Sequence, residues 1–192
     1  MKTILFICTS HNVFNGTDKK TGYWVSEIAH PYEILSKKYK IVFASPKGGL
    51  VPVDPGSLAA CENDASVQSF LNDKDVQEKL ANSVTLESIQ NNDYDAVFYP
   101  GGHGLVYDLY SDAISHKIAA RHFEAKKPVG ALCHGPAAIV AIKLSNGTFL
   151  VKDRRVTGFS NTEEQLAHLD SIVPYLLEDE LKKNGGIYSK AA

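Results

Sequence analysis

Apolar residues along this chain fall into two alternating rhythms, short unbroken runs and longer stretches with helical spacing. Lys2 to Thr9 is a continuous β-branched and apolar run, the pattern of a strand covered on both faces. Gly22 to Lys38 follows with helical period, placing Tyr23, Trp24, Ile28, Pro31, Ile34 and Leu35 on one side. Tyr39–Ser45 reads as a second strand. Asp64 to Asn82 carries Val67, Phe70, Leu71, Val76 and Leu80 at helical spacing, broken near Asn72-Asp73 into two short helices. Tyr94–Tyr99 is the third strand, Asp112–Lys126 a helix, and Pro128–Leu132 a strand leading to a helix over Ala137–Ile142. A short strand at Arg155–Thr157, a helix capped by Ser160 or Asn161, and a charged helix over Leu176–Asn184 complete the series. Strands alternating with helices predict an α/β fold with a mostly parallel sheet and helices on both faces. Two connections stand apart: a polar loop, Ser10–Thr21, containing Asn15-Gly16, and a loop rich in Gly and Pro from Pro46 to Ser57.

Three places interrupt this pattern. Glu27 projects from the apolar stripe of its helix, where an unpaired carboxylate is costly. Pro31 cannot donate to the carbonyl of residue 27, so the helix is expected to kink or loosen there. The strand ending at Tyr99 runs into Pro100-Gly101-Gly102-His103-Gly104, a turn whose free N–H groups suit an anion. The strand ending at Leu132 runs into Cys133-His134-Gly135-Pro136, the order of a nucleophile elbow. A thiol there, beside His134 and a helix N-terminus, is expected to have a depressed pKa. The local pattern alone fits a small buried cysteine equally well. His30, one turn from Glu27, is favoured as structural over metal-ligating, because no third ligand stands at recognisable spacing.

Composition narrows the function classes. The chain has 192 residues, 44% hydrophobic and 22% charged, which suits one globular domain. A formal net charge of -2, with no long Lys/Arg cluster, argues against a nucleic-acid partner. No apolar run approaches the length of a membrane span, and the N-terminal apolar run is too short for a signal peptide. Three cysteines without C-x-x-C spacing, Cys8, Cys61 and Cys133, point to a reducing compartment, with the cytoplasm as the expectation.

Taken together, Ala131–Pro136, Pro100–Gly104 and Gly22-Tyr23-Trp24-Val25-Ser26-Glu27-Ile28-Ala29-His30-Pro31-Tyr32 resemble the PfpI superfamily, which includes the parkinsonism-associated deglycase. They most resemble its glyoxalase III (D-lactate dehydratase) branch, to which heat-shock chaperones of the same fold belong. Ser45–Gly49, Asp54–Leu58 and Val156–Phe159 also fit, so the resemblance covers nearly the whole chain. It implies a flavodoxin-like three-layer sandwich, a homodimer, and a single class I glutamine amidotransferase-like domain over residues 1–192. Such a domain usually continues into a further strand and helix, which this chain lacks after Ile187–Ala192.

The resemblance also assigns roles. It makes Cys133 the nucleophile, Glu27 the acid beside it, and His134 the catalytic histidine. Glu164 would be the acid completing the triad, with Glu163 as the fallback, although acids in a helix's first turn also have a dipole explanation. Backbone N–H groups of Gly102 and His134 would form an oxyanion hole, and His103 would line the pocket. The implied activity is a cofactor-independent lyase that converts methylglyoxal to D-lactate without glutathione, metal or nicotinamide. Three alternatives remain open on this fold: a holding chaperone for unfolded proteins, an amide hydrolase or deglycase acting on glycated proteins, and a redox sensor at Cys133.

Overall fold

Alternation within the first strand generates the layers. The structure of the chain, a computed structural model, describes residues 1–191; Ala192, the end of the expected domain, lies outside the described residues. In β1 (Thr3–Ile7), Ile4 and Phe6, followed by Cys8, point to one face of the sheet, and Leu5 and Ile7 to the other. The first set packs under α1 (Val25–Leu35), through Val25, Ile28 and Ala29. β2 (Lys40–Ser45) pairs parallel to β1, with Phe6 opposite Phe43. After α2 (Pro55–Ala60) come α3 (Ala65–Asn72) and α4 (Lys74–Ala81), which add Val67, Phe70, Val76 and Leu80 to the same face. Asp64 and Asp73 cap α3 and α4 with their side chains, which explains the predicted break at Asn72-Asp73.

The remaining chain covers the opposite face. β3 (Val84–Thr85) and the one-turn α5 (Leu86–Ile89) lead into β4 (Ala96–Tyr99). A short α6 (Leu105–Asp108) and α7 (Ala113–Glu124) precede β5 (Val129–Ala131). Leu105, Val106, Ile118 and Ala119 pack against Leu5, Ile7, Val97 and Tyr99. β6 (Arg155–Val156), α8 (Asn161–Leu166), α9 (Leu177–Lys183) and β7 (Ile187–Tyr188) finish the described chain. The main sheet has five strands, all parallel, in the order β3-β2-β1-β4-β5; β6 and β7 pair parallel in a separate two-stranded sheet. The expected α/β sandwich is therefore present. Among the described residues no helix is long and apolar enough to cross a membrane.

Several element boundaries correct the sequence reading. The helix expected from Gly22 begins at Val25, because Tyr23 pairs with Val53 in a β-bridge and donates its N–H to the Pro52 carbonyl. A Cβ on Gly22 would lie 2.1 Å from that carbonyl oxygen, so only glycine permits the pairing. Helix α1 runs through Pro31 and ends at Leu35. The Gly/Pro loop after β2 gives way to α2 at Pro55, where Asp54 accepts the Gly56 N–H and Pro55 needs no donor. The helix expected at Ala137–Ile142 is instead a single 3₁₀ turn, Gly135–Ala138. β3 is only two residues long, too short to show as an apolar run. β6 matches the expected strand at Arg155 but lies outside the main sheet.

Sheet order positions the site. Strands β1 and β4 are neighbours, although β1 connects onward through α1 to β2 on its other side. In an open parallel sheet the crevice for ligands opens at such a reversal, beyond the carboxyl ends of the strands. Here those ends are Cys8–Ser10 after β1 and Pro100–Gly104 after β4.

Phe6 holds one face together: it is fully buried, 5.5 Å from the Phe43 ring in an edge-on arrangement and 4.9 Å from Phe98. Phe6→Ala should cost about 3–5 kcal/mol, read as a lower denaturation midpoint at unchanged denaturant slope.

Candidate active site

Cys133 follows β5 with φ of 55°, a left-handed conformation that a non-glycine residue adopts only when its surroundings impose it. The turn is held by Gly135, which donates its N–H to the Leu132 carbonyl and whose missing Cβ would lie 2.4 Å from the Tyr99 carbonyl oxygen. Phe159 donates its N–H to the Cys133 carbonyl, tying the elbow to the segment before α8. The sharp turn directs the sulfur toward the carboxyl ends of β4 and β5, as in a nucleophile elbow.

His134, almost fully buried, brings Nδ1 to 3.6 Å from the Cys133 sulfur. Its Nε2 lies 2.8 Å from Glu164 Oε2, and His103 Nε2 lies 2.7 Å from Glu164 Oε1. Burial alone would raise the Glu164 pKa, but hydrogen bonds from the two imidazoles bring it down to about 2, so an ionised carboxylate accepts from both rings. Both Nε2 atoms therefore carry hydrogen, and Nδ1 of His134 is left as an acceptor facing the sulfur. Burial and the neighbouring His103 lower the His134 pKa to about 4, so the ring is neutral at neutral pH. The two imidazole centroids are 3.9 Å apart, and the Phe159 ring packs 4.3 Å from His134.

Glu164, the fourth residue of α8, is buried; Glu163 is not part of this cluster. Glu163 instead closes a capping box with Ser160, accepting the Ser160 N–H at 2.7 Å while the Ser160 hydroxyl accepts its own N–H. One step along the helix thus separates a capping acid from an acid buried between two histidines.

Glu27 sits in the first turn of α1, with its carboxyl beside the Cys133 thiol and the Gly101 N–H. Burial raises its pKa to about 7, only partly offset by those two neighbours. Its Oε2 atom is buried without a hydrogen-bond partner. The space is made by Gly101, where a Cβ would fall 2.2 Å from Glu27 Oε2 and 2.6 Å from Cys133 Cβ.

The expected depression of the Cys133 pKa is not what the structure has. Burial raises it, the Glu27 carboxylate raises it further, and the backbone N–H groups of Gly102 and His134 pull the other way. His134 is neutral, and a single 3₁₀ turn replaces the helix whose dipole was to help. Those same two N–H groups face the sulfur.

Cys133, His134, Glu27, Gly102 and His103 all line one cavity of about 750 Å³. Its walls also carry Phe14, Trp24, Phe159 and Leu169. The sequence marked Trp24 only as part of an apolar helix stripe and Phe159 only as part of a family motif, and it gave none of the four a place in the site. Phe14 belongs to a turn closed by the antiparallel bridge between Val13 and Lys20, and Asn15-Gly16 was the available hairpin signal for it. His30 lies apart, its Nε2 2.8 Å from Asp64, joining α1 to α3 as a structural residue. Among the described residues, His103, His134 and Glu164 form the group of side chains whose ligand atoms lie within 4.8 Å of one another and could hold a metal ion. Cys8 is buried in the core and Cys61 half-buried at the end of α2; both are free thiols.

Residues 20–180 match the DJ-1/PfpI family. The chain is 31% identical over 196 residues to the glutathione-independent glyoxalase HSP31 of Saccharomyces cerevisiae, covering 97% of this chain and 82% of that protein. The crystal structure of glyoxalase III from Candida albicans matches with a TM-score of 0.90 at 28% identity, over 99% of this chain and 83% of that one. The X-ray structure of the Rapid Encystment Protein 24 kDa from Francisella tularensis matches with a TM-score of 0.94 at 38% identity, over 100% of this chain and 85% of that one.

A carboxylate with a raised folded pKa costs stability once the unfolded state would ionise it. That cost is absent below the unfolded value, grows between pH 4.5 and about 7, and persists above. Glu27→Gln should therefore stabilise the fold at pH 8, by up to about 3 kcal/mol, and leave it nearly unchanged at pH 4. Thermal unfolding at the two pH values measures this.

Proposed function

The chain belongs to the DJ-1/PfpI family, and we propose that it is a glutathione-independent glyoxalase, converting methylglyoxal and related 2-oxoaldehydes to 2-hydroxy acids. The observation that carries this reading is the buried carboxyl of Glu27, one oxygen without a partner and its pKa raised to about 7, held against the Cys133 thiol. A hydrolytic triad alone has no use for a second carboxyl on the nucleophile's other side. An intramolecular proton transfer between adjacent carbons requires one.

In this reading ionised Glu27 accepts the thiol proton as Cys133 attacks the aldehyde carbon. The N–H groups of Gly102 and His134 hold the developing oxyanion, which takes the proton back to give a hemithioacetal. Glu27, again a carboxylate, removes the hydrogen from the former aldehyde carbon. An enediolate forms, its hydroxyl proton passes from the oxygen of the first carbon to that of the second, and the same carboxyl returns its proton to the second carbon, leaving a thioester of the 2-hydroxy acid. His134 Nδ1, oriented by the hydrogen bond from Nε2 to Glu164, accepts a proton from water as it attacks the thioester. The carboxylic acid leaves and the thiol is restored. One carbon is oxidised and its neighbour reduced, so the stoichiometry balances without a nicotinamide or a metal. A pKa near 7 suits Glu27 to both halves of the transfer, since it must take and return a proton at neutral pH.

Purified protein given methylglyoxal without glutathione should form lactate. Cys133→Ala should abolish turnover, and Glu27→Gln should lower kcat/KM by at least about 10³-fold, as loss of the proton carrier demands. Lactate formation that survives Glu27→Gln would remove the proton shuttle. No lactate from folded wild-type protein would overturn the reading.

The pH profile gives a separate check. Glu27 must be ionised to accept a proton, so kcat/KM should rise with pH through an apparent pKa of about 7 and flatten above it. A profile already flat from pH 5 to 8 would assign the base to another group.

A further inference from the structure

The cavity is far larger than its proposed reaction requires, and its outer wall has a charge that this chemistry does not use. Methylglyoxal has five heavy atoms, whereas a cavity of about 750 Å³ is in the size range that accepts ligands several times larger. Its lining joins two kinds of group. The reacting groups, Cys133, His134, Glu27 and Gly102, share it with apolar side chains that include Phe14, Trp24 and Phe159. The Phe14 ring lies 5.2 Å from the His103 ring, and the exposed Lys19 and Lys20 complete the wall beside it.

Neither lysine has a carboxylate partner among the salt bridges of the described residues. The two carboxylates that share the cavity wall do not neutralise them. Glu27 is turned to Cys133, and Asp54 is occupied in accepting the Thr21 hydroxyl and the Gly56 N–H. The lysines are also positioned by an ordered turn. Phe14 donates its N–H to the Lys19 carbonyl, Val13 bridges Lys20, and the Lys19 ammonium lies 5.4 Å from the centroid of the Phe14 ring, over its face.

We infer that this wall is a subsite for an anionic group, and that the preferred substrates are extended 2-oxoaldehydes whose far end carries a carboxylate or phosphate. The inference rests on the glyoxalase reading of the same cavity and names its substrate class. The aldehyde carbon meets Cys133, the carbon chain lies along the apolar lining, and the anion meets the two exposed ammonium groups.

The test compares 4,5-dioxopentanoate with 2-oxopentanal, two five-carbon 2-oxoaldehydes that differ in the terminal carboxylate, and includes methylglyoxal as the parent substrate. At about 20 mM ionic strength, kcat/KM should favour the carboxylate by about five-fold, the size two solvent-exposed ion pairs supply. The ratio should fall below about two-fold at 0.5 M salt. It should also collapse toward one in Lys19→Gln/Lys20→Gln and be kept in Lys19→Arg/Lys20→Arg. A ratio of one or less in wild-type protein at low salt, or a preference that the Gln substitutions leave in place, overturns the subsite while leaving methylglyoxal turnover intact. Absence of turnover with all three aldehydes overturns the glyoxalase reading itself, and the substrate class with it.

Discussion

One α-carbon sets the geometry of this molecule's candidate active site. Gly101 lies in the loop that follows β4, where a side chain would collide with both Glu27 Oε2 and Cys133 Cβ. The carboxylate from α1 and the thiol from the β5 elbow can approach each other only because nothing projects between them. Gly102, next in sequence, adopts φ of 108°, which turns its N–H toward the Cys133 sulfur. Two adjacent glycines thus replace side chains with space and with a directed donor. A parallel sheet supplies the rest, because its neighbouring strands deliver their carboxyl ends to the same edge.

Charge in this site is distributed in a way that a simple thiolate–imidazolium pair does not describe. Glu164 is held ionised by two imidazoles, and their N–H groups are committed to it. Burial and the neighbouring His103 keep His134 neutral all the same, with one free acceptor toward the sulfur. Burial, meanwhile, holds both the Cys133 thiol and the Glu27 carboxyl toward their protonated forms. The resting thiol is therefore uncharged and Glu27 is balanced between its two forms near neutral pH, while the fixed negative charge sits behind His134 on Glu164. The charge beside the sulfur thus changes with the position of one proton, which suits a reaction made mainly of proton transfers.

This arrangement also accounts for which acids do what. Glu163 and Glu164 are adjacent, and both satisfy a first-turn preference on a helix. Successive helical residues point about 100° apart, so only one of them can face the elbow. Ser160 captures Glu163 as its capping partner, which leaves Glu164 turned inward to the histidines.

Much of the fold was legible in the sequence because it depends on local period and on local side-chain chemistry. Unbroken apolar runs marked β1, β2, β4 and β5, aspartates marked the starts of α3, α4 and α7, and the strand–glycine and strand–cysteine junctions marked both loops of the site. The family resemblance then joined Glu27, Cys133, His134 and Glu164 into one set. Other features belonged to tertiary structure alone. Gly22 and Tyr23 left the helix to pair with Pro52 and Val53, a contact 30 residues distant that no periodicity reports. The sign of the Cys133 shift also reversed. Sequence shows which groups are neighbours along the chain, but a pKa depends on how much water and which charges surround the thiol in space, and Glu27 arrives there from another helix. The same holds for the cavity, whose Phe14 and paired lysines come from a turn that only folding brings beside Trp24 and Phe159 from two other segments.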